Sequence, residues 1–116
     1  MPKFKKILCP TDFSEASYEG IAKAVELIEG TGGEVCIVHV AQAVADKPLK
    51  GIAPYAQSES VRRAEAVSTL CAVLEERVPA HVRARPLLKY GDAAAEIVRA
   101  AREEAADLIV LTTHGG

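Results

Sequence analysis

The stretch EVCIVHVA, Glu34–Ala41, decides the fold class. It is a nearly unbroken run of β-favouring residues with no alternation of polar and apolar positions. A strand with one wet face alternates. A strand covered on both faces does not, and that pattern belongs to parallel sheets with helices on either side. Upstream, FKKILCP (Phe4–Pro10) is basic, then apolar, and stops at a proline, so it reads as a second short buried strand. Between the two lies TDFSEASYEGIAKAVELIEG, with Ser14 as N-cap, Glu15 facing the helix dipole, and Tyr18, Ile21, Val25 and Ile28 at helical spacing. Gly30, Gly32 and Gly33 end that helix.

Downstream, residues 42–57 carry Pro48, Gly51 and Pro54 without a period and read as the longest loop, of a length more often functional or mobile than inert. A second helix is expected from Ser58 to about Arg77, with an apolar stripe of Val61, Ala64, Val67, Cys71, Leu74 and Val78. HVRARPLLKY (His81–Tyr90) reads as a strand that Pro86 confines to a sheet edge. Asp92 then caps a third helix with Ile97, Val98, Ala101 and Ala105 inward, and Asp107–Leu111 forms a fourth strand. Strands alternating with amphipathic helices imply an α/β fold, an open parallel sheet with helices on both faces.

Composition narrows the function. The chain has 116 residues, enough for one domain, and 49% are hydrophobic, so a core is affordable. With aromatics at 4%, that core is aliphatic. Fourteen basic against sixteen acidic residues give a net charge of -2, which argues against nucleic-acid binding as the main role. It does not argue against a small anion, which backbone amides hold without net charge. Cys9, Cys36 and Cys71 are odd in number and form no CxxC pair, which speaks against a disulfide framework or zinc site and for buried thiols in a reducing compartment. No apolar stretch approaches the roughly 18 residues of a membrane span, and the N-terminus has no signal-peptide pattern; a cytoplasmic protein is expected.

In open parallel sheets, ligands bind outside the carboxyl ends of the strands. Here those ends lead into Pro10-Thr11-Asp12, His39-Val40-Ala41, Tyr90-Gly91-Asp92 and Thr112–Gly116. Asp12 is open to two readings: acceptor for hydroxyls such as those of a ribose, or helix cap alongside or instead of Ser14. His39 and His114 read as structural hydrogen-bonding residues. No Ser-His-Asp order or HExxH spacing appears, and the acidic pattern of a phospho-acceptor receiver domain is missing.

Three stretches together, KKILCPTDFSEAS (Lys5–Ser17), VCIVHV (Val35–Val40) and YGDAAAEIVRAAREEAADLIVLTTHGG (Tyr90–Gly116), resemble the universal stress protein family. The resemblance covers essentially the whole chain. It implies a five-stranded, Rossmann-like sheet of the adenine nucleotide alpha hydrolase type, usually dimeric, with one branch that binds ATP and one that does not. In the ATP-binding branch, the positions of Pro10, Thr11, Asp12 and Val40 hold the adenosine. The phosphates rest on a G-x-x-G loop followed, nine residues on, by G-S or G-T. Here Thr112 stands at the first glycine, Gly115 at the second, and the sequence stops at Gly116.

The expectation is therefore a single domain over residues 1–116 with four strands, lacking the family's last helix and strand, about 25 residues by average element lengths. A truncated chain, a second polypeptide that completes the sheet, and a natural short form all fit that expectation. Without a fifth strand, Asp107–Leu111 is expected to be an exposed apolar edge that leads either to self-association through it or to poor solubility. The leading functional expectation is a regulatory module that binds ATP with Mg and self-associates. Its rivals are a protein-interaction module that binds no nucleotide and a weak ATPase.

Overall fold

The structure, a computed structural model, describes residues 4–42 and 59–112. Strands β1 (Lys6–Pro10), β2 (Glu34–Ala41), β3 (Arg83–Tyr90) and β4 (Leu108–Ile109) form one parallel sheet in the order β3-β2-β1-β4. Helices α1 (Glu15–Ile28), α2 (Glu59–Arg77) and α3 (Ala93–Glu103) alternate with them. Strand β3 lies at an edge, as Pro86 requires, and starts at Arg83, two residues later than the sequence pattern suggests. The long loop read over residues 42–57 and the helix start at Ser58 fall outside the described residues, apart from residue 42.

Strand pleating divides the core in two. Ile7, Cys9, Val35 and Ile37 point to one face, where Ile21, Ala24, Val25 and Ile28 of α1 meet Leu70 and Val73 of α2. Leu8, Cys36 and Val38 point to the other, where α3 covers them with Ala100 and, half-buried, Ile97 and Ala101. Both faces of β1 and β2 are thus dry, which is why neither strand alternates in sequence.

Three expectations need correcting. Helix α2 does not bury Val61, Ala64, Val67 or Cys71, which are exposed; its inward residues are Leu70 and Val73, with Leu74 half-buried and Val78 buried just past its end. Helix α3 leaves Val98 exposed and ends before Ala105. The fourth strand is only two residues long, although Asp107 N–H to Lys6 O at 2.8 Å and Val110 N–H to Leu8 O at 2.9 Å extend its pairing by a rung at each end.

Helix α3 stops for a local reason. Ala106 N–H donates to Ala101 O at 2.9 Å and Ala105 N–H donates to Arg102 O at 3.2 Å. This is the paired closure that needs a left-handed residue just past the helix, and Ala105 occupies it with φ 54°. Asp107 then ties the turn to the sheet. Its Oδ2 accepts the Lys5 N–H at 2.7 Å and the Lys6 N–H at 3.0 Å. Those two backbone N–H groups hold its carboxyl below the ordinary value.

Two outcomes follow. Ala105→Gly removes the Cβ penalty of a left-handed residue and is expected to raise unfolding stability in urea by about 0.5–1 kcal/mol. A depressed folded-state pKa means that the Asp107 carboxylate contributes stability above its unfolded value and loses it as pH falls through the folded one. Asp107→Ala is therefore expected to lower the urea midpoint by a constant amount near neutrality. That difference should narrow once the pH drops below the ordinary 3.8; a deficit independent of pH would refute the role of the charge.

Candidate functional site

The carboxyl ends of β1, β2 and β4 frame a cavity of about 220 Å³. It sits where the chain changes sides of the sheet, with α1 leaving β1 toward one face and α3 reaching β4 from the other. The β1–α1 loop supplies Pro10, Thr11 and Asp12, and Ser17 comes from the first turn of α1. Strand β2 supplies Val38 and Val40, α3 supplies Ala93 and Ile97, and the segment leaving β4 supplies Leu111 and Thr112. Five of the six positions singled out in the sequence, Pro10, Thr11, Asp12, Val40 and Thr112, therefore line one cavity. The sixth, Gly115, lies outside the described residues, as do His114 and Gly116.

The β1–α1 loop is built from interlocking hydrogen bonds. Thr11 N–H continues the β1–β2 ladder to Val38 O at 2.8 Å. Ser14 is the N-cap of α1, its Oγ accepting the Ser17 N–H at 3.2 Å. Asp12 is not itself the cap. Its Oδ1 accepts the Ser14 N–H at 3.0 Å and the Ser14 hydroxyl at 2.5 Å, so it braces the residue that caps. The cap reading of Asp12 is thus corrected, since the capping falls to Ser14 and Asp12 acts on α1 only through that residue.

A proton inventory defines what this loop offers a ligand. Ser17 Oγ donates to Ser14 O at 2.7 Å, so the 2.8 Å contact between Thr11 Oγ1 and Ser17 Oγ is donated by Thr11. Ser14 donates to Asp12. The hydroxyl protons of Thr11, Ser14 and Ser17 are all committed within the loop, and Thr11 Oγ1 also accepts the Phe13 N–H at 3.0 Å. What this side of the cavity presents is oxygen lone pairs and a carboxylate, above an apolar wall of Val38, Val40 and Ile97. That combination suits a flat apolar ring joined to hydroxyl donors and suits an anion poorly.

Opposite the loop, Thr112 leans on α1. A Cβ placed on Gly20 would meet Thr112 Oγ1 at 2.9 Å, which is too close. The sequence reading missed Ser17, Val38, Ala93, Ile97 and Leu111 as lining residues. The available signal was position: Ala93 and Ile97 are one helical turn apart at the start of a helix that follows a strand's carboxyl end.

A second polar cluster lies at the opposite end of the sheet. Glu34, Cys36 and Glu104 bring three donor atoms within 4.8 Å of one another. Lys6 Nζ reaches Glu104 at 3.3 Å and Glu34 at 3.6 Å, while Arg85 pairs with both carboxylates. Burial pushes the Cys36 thiol up to about 11. With both carboxylates neutralised and the thiol protonated, this is an ion-pair network that ties β1, β2, β3 and the end of α3 together.

The family model described as the universal stress protein family matches residues 3–116. The chain belongs to the universal stress protein family. Solved structures agree with the fold. A universal stress protein family member from Burkholderia pseudomallei is 25% identical, covering 95% of this chain and 82% of its own, with a TM-score of 0.69. A universal stress protein from Lactobacillus plantarum is 19% identical, covering 99% and 83%, with a TM-score of 0.68. A family member from Arabidopsis thaliana, solved with AMP bound, is 13% identical, covering 98% and 78%, with a TM-score of 0.63. A search of curated proteins gives no match. Among the described residues, no helix is long and apolar enough to cross a membrane.

The Gly20–Thr112 contact yields a double-mutant test. Alanine in place of a helical glycine gains roughly 0.5–1 kcal/mol from helix propensity. In this universal stress protein, Gly20→Ala is expected to forfeit that gain by pushing on Thr112. In a Thr112→Ala background the gain should reappear in urea unfolding; equal effects in both backgrounds would show that the contact carries no energy.

Proposed function

We propose that this universal stress protein binds an adenine nucleotide in the cavity at the carboxyl ends of β1 and β2 and serves as a ligand-sensing regulatory module. The observation that carries the reading is the proton inventory of the β1–α1 loop: acceptors above an apolar wall, in a cavity of about 220 Å³. Adenine would lie against Val40 and Ile97, with the ribose hydroxyls donating to Asp12 and Thr11 as acceptors. The AMP-bound Arabidopsis relative, of similar fold, supports the ligand class. The phosphates would point away from the carboxylate, toward Thr112.

ATP with Mg is the larger ligand the same reading admits. Asp12 is the one carboxylate among the described lining residues, and its Oδ1 already holds Ser14. A magnesium ion would thus be held chiefly by the phosphates that bring it. We further propose a cytoplasmic protein that works as a homo-oligomer, with the domain spanning residues 1–116.

A second reading, an interaction module without nucleotide, is favoured by one feature. Thr112 replaces a glycine where backbone would approach phosphate closely, and its side chain stands between the cavity and Gly20. A weak ATPase is the remaining alternative, and phosphate release would reveal it.

Equilibrium dialysis with labelled AMP, and with labelled ATP and Mg, separates the first two readings. Micromolar binding of AMP that Asp12→Ala abolishes is the expected result. Binding unchanged by Asp12→Ala would remove Asp12 from the site. No binding of either nucleotide would favour the interaction module.

A further inference from the structure

We propose that His39 is a positioning residue that holds the β1–α1 loop, and with it Asp12, in the shape the ligand meets. His39 lies on β2 beside Val40, and its ring faces the loop across the sheet. Two contacts join them. His39 Nδ1 lies 2.9 Å from Thr11 O. A carbonyl oxygen only accepts, so Nδ1 carries the proton and donates. The imidazole also stacks on Phe13, with ring centroids 4.3 Å apart and planes inclined by 30°.

Phe13 is the residue that makes this brace necessary. Its φ is 67°, in the left-handed region that a bulky side chain rarely adopts. Such a conformation persists only where the surroundings over-determine it. Here the surroundings are the Phe13 N–H bond to Thr11 Oγ1 at 3.0 Å and the stack on His39. Thr11 and Phe13 are the two chain neighbours of Asp12, and His39 grips both. Ser14 fixes the carboxylate from within the loop; His39 fixes the backbone that carries it, from the next strand. Because β2 also supplies Val40 to the cavity, one strand sets the apolar wall and the acceptor rim in mutual register.

The consequence for binding rests on the nucleotide reading, whereas the brace itself can be measured without ligand. His39→Phe keeps a stacking ring and loses the donor; His39→Asn keeps a donor near the Nδ1 position and loses the ring. In the ligand-free protein, amide exchange at Phe13 and Ser14 should accelerate about tenfold in each variant, as expected for loss of a single contact, while exchange at Cys36 and Val38 stays as in the wild type. AMP affinity should fall about tenfold in each, with a larger loss in His39→Ala. Loop amides that do not respond would overturn the proposal. So would loop amides that accelerate only together with those of the sheet, since His39 would then be supporting the fold at large. AMP binding to wild type and both variants with equal affinity would overturn it as well. A wild type that binds no AMP while the loop amides respond as expected would sink the nucleotide reading and leave the brace supported.

Discussion

The bond from Thr11 N–H to Val38 O is the last rung of the ladder between β1 and β2, and the geometry of the site hangs from it. Pro10 precedes it and has no N–H to give, so the rung at Thr11 decides where β1 stops being a strand. The register that pairs Cys9 with Ile37 and Pro10 with Val38 ends β1 opposite Val38, while β2 runs on to Ala41. The β1–α1 loop therefore starts directly beside Val38, His39 and Val40. A shift of β1 by one residue would send Leu8 and Cys9 to the wrong halves of the core. That register is fixed by burial on both faces, since Ile7, Leu8, Cys9 and Val35 through Val38 are all buried.

From this anchor the two ends of the sheet take on different work. At the amino end, Lys6, Glu34, Arg85 and Glu104 neutralise one another, and Asp107 accepts two backbone N–H groups. These groups are spent holding the elements together. At the carboxyl end, the hydroxyl protons are also spent internally, but on a loop that curves around an open cavity. Spending the hydroxyl protons internally while Thr11, Asp12 and Ser17 line the cavity stiffens the loop and favours a ligand that brings its own donors.

The sequence made legible what depends on short-range pattern. The unbroken apolar run of β2 announces burial on both faces, Pro86 announces an edge, and Ser14 and Asp92 sit where caps belong and act as caps. Pro10, Thr11, Asp12, Val40 and Thr112 were singled out by the family resemblance, and they share one cavity because all lie at or just past the strands' carboxyl ends. What was not legible is what tertiary contact decides. Helix α2 offers two apolar stripes, one through Val61, Val67 and Cys71 and one through Leu70, Val73 and Val78, and periodicity alone cannot rank them. The second is the one buried, with Leu70 and Val73 joining Val35, Ile37 and the α1 side chains in one core cluster. Likewise Val98 and Ala101 both fit the period of α3, and only the position of the helix over Leu8 and Cys36 turns Val98 out.

The left-handed residues carry the same lesson further. Neither Phe13 nor Ala105 is of a type that sequence rules assign to positive φ, and glycine at each would be the ordinary choice. The two differ in what surrounds them. Ala105 sits at a helix end whose two closing hydrogen bonds require a left-handed residue, and its side chain is exposed and adds no contact that glycine would lose. Phe13 is stacked, hydrogen-bonded and packed against the α1 side of the core. A glycine there would ease the backbone and free the loop at the same time. Strain retained at an end that any small residue could close is incidental to the helix. Strain retained beneath an aromatic stack, next to the Asp12 carboxylate that lines the cavity, holds a shape that relaxed backbone would not keep.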